Sequence, residues 1–199
     1  MFWSGEFGDA YISRNMSEQL LAANLTYFSR ALCRCSALNS IFEVGANVGM
    51  NIKALQALYP GAKLSAIEIN QEASRQLIKM IGESNVTCGS ILDFKGNKTF
   101  ELVFTKGVLI HLSPEHLALA YQQMADLSSK YVLIGEYYNP KPVSIEYRGH
   151  KNKLFKRDFC GEFLEAHPEF NLIDYGFAYH RDPQHPQDDI TWFLLEKWW

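Results

Sequence analysis

Residues 41–51, Ile-Phe-Glu-Val-Gly-Ala-Asn-Val-Gly-Met-Asn, place an acid and two glycines at a spacing that can do chemistry. An apolar pair leads into Glu43, then Gly45 and, after three intervening residues, Gly49. A helix-like segment from Met50 to Leu58 follows. The pattern reads as a strand that ends in a glycine-rich turn and opens a helix. Such a turn lets a ligand lie against bare backbone near the helix N-terminus. A second apolar strand runs into Glu68, 25 residues after Glu43. A carboxylate at that strand tip is what a fold of this type uses to hold the two hydroxyls of a ribose. A dinucleotide site would need Gly-x-Gly-x-x-Gly, yet Asn47 stands at the middle position and Glu43 would repel a pyrophosphate. The same carboxylate suits a ligand that carries an ammonium group.

The elements that must position these residues follow from periodicity and turn signals. Residues 16–35 read as a helix, with Ser17 as N-cap and Leu20, Leu21, Leu25, Phe28 and Leu32 on one face. Strands are expected at about 40–44, 63–69, 85–88, 100–105, 131–136, 172–179 and 190–197. Helices are expected at about 49–58, 71–81, 114–128 and 158–166, with Pro60-Gly61 breaking the first and Pro114 starting the third. The stretch 139–157 reads as irregular. Strand and helix alternate, which implies an α/β, doubly wound, mostly parallel seven-stranded sheet with helices on both faces. Ligands in such sheets bind beyond the carboxyl ends of the strands, where strand order reverses. The expectation is one domain over 1–199, with 1–35 as an N-terminal helical cap and 36–199 as the sheet core.

Composition narrows the function classes. The chain has 199 residues, 47% of them hydrophobic and 21% charged, an ordinary globular balance. A net charge of −3 gives no footprint for nucleic acid. No apolar run reaches the length of a membrane span, and no signal peptide is expected. Cys33, Cys35, Cys88 and Cys160 form no zinc-ligand spacing, so no metal site is expected, and they read as free thiols in a reducing cytoplasm.

Other residues fall on the presumed active edge. His111, after the fourth strand, is the first candidate for a general base. Tyr137 and Tyr138, at the tip of the fifth strand, are second candidates and could grip an acceptor. Lys151, Lys153 and Arg157 belong to a basic cluster that could hold an anionic acceptor. His180 and Arg181, between the last two strands, are further acceptor contacts.

Glu-x-Gly-x-x-x-Gly with a later ribose acid resembles the first two motifs of class I S-adenosylmethionine-dependent methyltransferases. Phe100–Leu112, with its Gly-Val-Leu-x-His run, resembles the motif that follows their fourth strand. Together with the aromatic N-terminal stretch 2–15, these motifs are similar to the pseudaminic acid biosynthesis-associated methylases. The resemblance covers nearly the whole chain. It implies a Rossmann-like fold, S-adenosylmethionine as cofactor and methyl transfer to an oxygen or nitrogen of a small polar acceptor, such as a nucleotide-activated sugar. It implies that Glu43, Gly45, Asn47 and Gly49 receive the amino-acid part of the cofactor, and Glu68 with Ile69 its ribose. Ser90 and Ile91 would border the adenine, although Ser90 stands where the family commonly has an acid. Thr105, Lys106 and Gly107 would border the sulfonium and amino-acid tail, and Tyr11, Arg14 and Asn15 would close over the cofactor. The rival readings are a methyltransferase acting on protein or RNA, a cofactor-binding module without transfer, and a nucleotide-binding oxidoreductase.

Overall fold

The computed structural model describes Trp3, Gly5, Gly8 and residues 17–198, with Lys151 described through its backbone only. Helix α1 (Glu18–Ala31) begins where the Ser17 side chain accepts a hydrogen bond from the Leu20 amide at 3.1 Å. That bond satisfies a donor the helix cannot pair internally. In chain order there follow β1 (Ser40–Val44), α2 (Met50–Leu58), β2 (Lys63–Glu68), α3 (Gln71–Ile81), β3 (Val86–Cys88) and β4 (Phe100–Lys106). Then come α4 (Pro114–Leu127), β5 (Ser128–Glu136), β6 (Val143–Tyr147), β7 (His150–Lys156), α5 (Phe159–Ala166), β8 (Phe170–Ala178) and β9 (Ile190–Lys197).

Seven strands form one sheet in the order β3-β2-β1-β4-β5-β9-β8. The first five are parallel, whereas β9 runs antiparallel to both β5 and β8. The central strands are buried on both faces, as a parallel sheet covered by helices requires. In β4, Leu102 through Thr105 are all fully buried. One face packs Phe42, Val44, Val103 and Val132 beneath α4 and α5, which contributes Phe163. The other packs Ile41, Leu102, Phe104 and Leu133 beneath α1 and α2, which contributes Leu55. Strand order reverses between β1 and β4, so their carboxyl ends open the crevice where ligands of such sheets bind.

The expected seven-stranded sheet is present, and most boundaries agree with the sequence reading. Three places differ. Helix α1 is shorter than 16–35, and β5 begins at Ser128 instead of 131. The stretch read as irregular holds an antiparallel hairpin, β6–β7. Its turn places Arg148 and Gly149 at φ of 50° and 82° between the paired Tyr147 and His150, the left-handed geometry that tight hairpins favour. The hairpin escapes a pattern reading because Val143 to Glu146 are all exposed. Leu154 of β7 reaches the core, but a single buried position imposes no alternation of apolar and polar residues.

Phe104 is fully buried and meets Phe28 edge to face at 5.3 Å. Phe104→Ala should therefore lower the unfolding free energy by about 3–5 kcal/mol. Val143→Ala, on the exposed hairpin, should change it by no more than about 0.5 kcal/mol. Urea denaturation of the two variants checks both values.

Candidate active site

The β1–α2 turn is held in a left-handed conformation at three places, with φ of 72° at Gly45, 48° at Asn47 and 83° at Gly49. Asparagine tolerates that region better than most side chains, while the two flanking positions favour glycine. Gly45 also lies against Val108, where a Cβ would come within 2.6 Å of Cγ2. Glu68 braces this turn. Its Oε2 accepts from the Asn47 amide and its Oε1 from the Asn70 amide, each at 2.7 Å. Burial raises the Glu68 pKa, only partly opposed by the Asn70, Asn47 and Ile69 amides. A carboxylate has about four lone-pair sites, so both oxygens retain capacity for hydroxyl donors. Ile69 is half-buried beside it. Gly89 donates to the Glu68 carbonyl at 2.9 Å, which sets the next loop against the same tip. In that loop the Ser90 hydroxyl caps a short turn by accepting from Leu92, and Ile91 is buried.

Glu43 is 1% exposed. Its Oε1 accepts from Asn51 Nδ2 at 2.6 Å, while its Oε2 is buried with no hydrogen-bond partner among the described residues. Burial pushes its pKa up to about 8, against the pull of Asn51 and the nearby Lys106. Lys106, at the tip of β4, donates to Asn24 Oδ1 at 3.1 Å and to Gln187 Oε1 at 2.9 Å. Gln187 Nε2 closes the triangle on Asn24 Oδ1 at 3.0 Å, and the ammonium stands 5.1 Å from the Tyr27 ring centroid. Burial brings the Lys106 pKa down to about 8, opposed first by Glu43. The site thus offers a buried acid with an unused oxygen and a desolvated cation nearby. That pairing fits a ligand bearing both an ammonium and a carboxylate.

The turn after β4 is organised by Glu136. Its Oε1 accepts from Thr105 Oγ1 at 3.2 Å and from the Val108 and Leu109 amides at 3.0 Å, and its Oε2 accepts from Ile110 at 3.3 Å. Burial lifts its pKa to about 7 although all four donors favour the ionised form. These bonds fix the turn that presents His111. His111 Nδ1 lies 2.7 Å from the Lys153 carbonyl. A carbonyl only accepts, so Nδ1 carries the proton and Nε2 the lone pair. Burial drives the His111 pKa down to about 4, which keeps the ring neutral.

The structure does not gather every expected residue. Thr105 is fully buried and its hydroxyl serves Glu136, so its side chain is turned from any ligand. Gly107 is at φ 69° with open space where a Cβ would stand. Tyr137 is half-buried under Lys156, whereas Tyr138 is 41% exposed beside Phe193. Successive residues point to opposite sides of a strand tip, so the two tyrosines do not act together. Arg157 is bound to Glu162 at 2.6 Å, and His180 to Asp189 at 2.8 Å. Arg181 is exposed. Tyr11, Arg14, Asn15 and the side chain of Lys151 lie outside the described residues. Asn24, Asn51 and Gln187 escaped the sequence reading. Asn24 had a readable signal, a polar residue on the apolar stripe of α1. Asn51 and Gln187 had none, because only the fold brings them to Glu43 and Lys106.

No protein-family model matches the sequence, and no curated protein matches it. Solved structures do match in fold. The sugar N-methyltransferase KedS8 from Streptoalloteichus sp. superposes with a TM-score of 0.69 at 14% identity, covering 98% of this chain and 94% of that one. The 1,6-didemethyltoxoflavin-N1-methyltransferase of Burkholderia thailandensis, with bound S-adenosylhomocysteine, gives 0.70 at 14% identity over 96% and 83%. The magnesium protoporphyrin IX methyltransferase of Synechocystis, also with S-adenosylhomocysteine, gives 0.69 at 13% identity over 98% and 96%. This chain therefore has the Rossmann-like methyltransferase fold.

Folded Glu43 titrates at about 8 and its ordinary value is 4.5. The folded protein thus binds that proton more tightly than the unfolded chain, and stability falls as pH rises between the two values. Glu43→Gln removes this loss and keeps an acceptor for Asn51. Its melting temperature should match wild type near pH 4.5 and exceed it by a widening margin up to pH 8, as read by scanning calorimetry.

Proposed function

We propose that this chain is a class I S-adenosylmethionine-dependent methyltransferase acting on an oxygen or nitrogen of a small polar acceptor, within one domain in a reducing, cytoplasmic setting. The observation that carries this reading is the buried, unpartnered oxygen of Glu43 beside Lys106, at the point where strand order reverses. An α-amino-acid end satisfies both groups, whereas a pyrophosphate could pair with Lys106 but offers Glu43 only repulsion. The neighbours crystallised with S-adenosylhomocysteine support the same choice. Resemblance to the pseudaminic acid biosynthesis-associated methylases, and a sugar N-methyltransferase among the fold neighbours, point to an activated sugar as acceptor.

In this reading the cofactor, when bound, supplies a methyl group already activated on a sulfonium. The chain's own residues bind, orient and move a proton. Gly45 and Gly49 admit the cofactor to the backbone, and Glu43 and Lys106 receive its amino-acid end. Glu68 takes the ribose hydroxyls, and Ser90 with Ile91 borders the adenine. His111, neutral and with Nε2 as its free acceptor, takes the proton that the acceptor loses. The protein's contribution is then positioning and proton removal. Arg148, Lys151, Lys153 and Lys156 make the β6–β7 hairpin basic, which suits an acceptor carrying phosphate. Arg157 contributes less, since Glu162 neutralises it.

Titration calorimetry with S-adenosylhomocysteine tests the cofactor. Glu68→Gln should weaken binding about tenfold, or roughly 1.4 kcal/mol, and Glu68→Ala should weaken it further. Wild-type protein that ignores S-adenosylhomocysteine but binds a nicotinamide dinucleotide would overturn the reading. Radiolabelled cofactor in whole lysate should then place label in the small-molecule fraction. Label in protein or RNA would transfer the activity to a macromolecular substrate.

A further inference from the structure

His111 is walled by a residue remote from it in sequence. The Trp3 indole stands against the imidazole with ring centroids 4.4 Å apart and planes tilted by 52°. The same indole lies 6.3 Å from the ring of Tyr147 on the hairpin, and Tyr147 lies 5.1 Å from His111. Aromatic pairs at such separations prefer tilted packing, so the cluster fixes orientation as well as burying area. Among the described residues its ring hydrogen bond goes to the Lys153 carbonyl, which sets the tautomer and pins Nδ1. Trp3 and Tyr147 pack against the ring and limit the swing that remains.

Trp3 is itself fixed from the cofactor side. Its carbonyl oxygen accepts from Asn70 Nδ2 at 3.3 Å. Asn70 follows β2 by two residues and does two other things there. Its amide donates to Glu68 Oε1 at 2.7 Å, and its Oδ1 caps α3 by accepting from Ala73 at 3.0 Å. Gly8 completes the joint. A Cβ at that position would collide with the Trp3 carbonyl oxygen and come within 2.9 Å of Asn70 Nδ2. A continuous set of contacts therefore runs from Glu68 through Asn70 and Trp3 to His111. It joins the tip of β2 to the turn after β4, across the crevice at β1.

We propose that Trp3 is a positioning residue for His111, hung from Asn70 so that the ribose acid Glu68 and the proton acceptor His111 are held by one set of contacts. A cofactor that engages Glu68 then acts on the imidazole through Asn70 and the indole, and the base is oriented only when the cofactor side is in order. This rests on the methyltransferase reading for the identity of the cofactor, but not for the walling of His111 itself.

Nuclear magnetic resonance of the His111 ring, in full-length protein with and without S-adenosylhomocysteine, tests the proposal without an acceptor. Four variants are compared with wild type: Trp3→Ala, Trp3→Phe, Asn70→Ser and Gly8→Ala. Serine keeps the helix cap and removes the donor to Trp3. In Trp3→Ala, water reaches the imidazole, and its proton affinity should rise at least tenfold above the wild-type pKa of about 4. Trp3→Phe should restore most of the wild-type value. Asn70→Ser and Gly8→Ala keep the indole yet should shift His111 in the same direction as Trp3→Ala. Asn70→Ser should still bind S-adenosylhomocysteine within about threefold in calorimetry, but the ligand-induced change of the His111 resonance seen in wild type should be lost. His111 titrating alike in wild type and Trp3→Ala would overturn the proposal. So would an equal response to S-adenosylhomocysteine in wild type and Asn70→Ser. A wild type that does not bind S-adenosylhomocysteine at all would instead remove the cofactor reading, while the variant titrations would still decide whether Trp3 positions His111.

Discussion

Burying Glu43 near the end of β1 strips a carboxylate of water, and the rest of the site is arranged around that cost. An unpaired buried charge is among the least favourable things a fold can hold. Here the penalty is relieved only in part. Asn51 supplies one donor, and Lys106 stands close enough to act through space without forming an ion pair among the described residues. The acid answers by holding its proton, and the lysine by releasing its own more easily. A ligand that brings an ammonium to one and a carboxylate to the other relieves both. The strain in the protein and its affinity for such a ligand thus have the same origin.

Three glutamates sit at the carboxyl ends of the parallel strands, and their partners give them different tasks. Glu136 is surrounded by four donors and works for the fold: it gathers the turn after β4 and with it His111. Glu68 receives two amides and is both brace and open acceptor. Glu43 has a single donor and is the one most in need of a ligand. The order follows the number of backbone amides each tip can reach, which depends on how the next loop folds back over the strand end. Chemistry at this edge is therefore divided by loop geometry among residues of one type.

The acceptor side is built differently. His111 is held by the hairpin's backbone on one side and by aromatic rings on others, with no charged group bonded to its ring among the described residues. A carbonyl partner fixes the tautomer without stabilising the imidazolium as a carboxylate would. Burial outweighs that bond and disfavours the charged ring. The imidazole is left neutral, as the proposed role of proton acceptor requires.

The strand–turn–helix signature at Glu43–Gly49 and the acid at Glu68 were legible in the chain itself. Glycines at forced backbone angles and carboxylates at strand tips are local requirements, written at fixed spacing. The alternation of apolar runs likewise determined the seven-stranded sheet, because burial on both faces leaves no choice of residue. What the chain could not reveal is who meets whom across that sheet. Asn24 and Gln187 are 163 positions apart and share Lys106. Trp3 and His111 belong to opposite sides of the crevice in sequence, and Arg157 reads as a free cation until α5 delivers Glu162 to it. The hairpin left no periodic trace because β6 is exposed from Val143 to Glu146 and β7 sends Leu154 alone to full burial among its described side chains. Local geometry and burial pattern are properties of neighbouring residues, so sequence determined them; partner choice among polar groups depends on distances that only the folded sheet sets, and tertiary structure decided it.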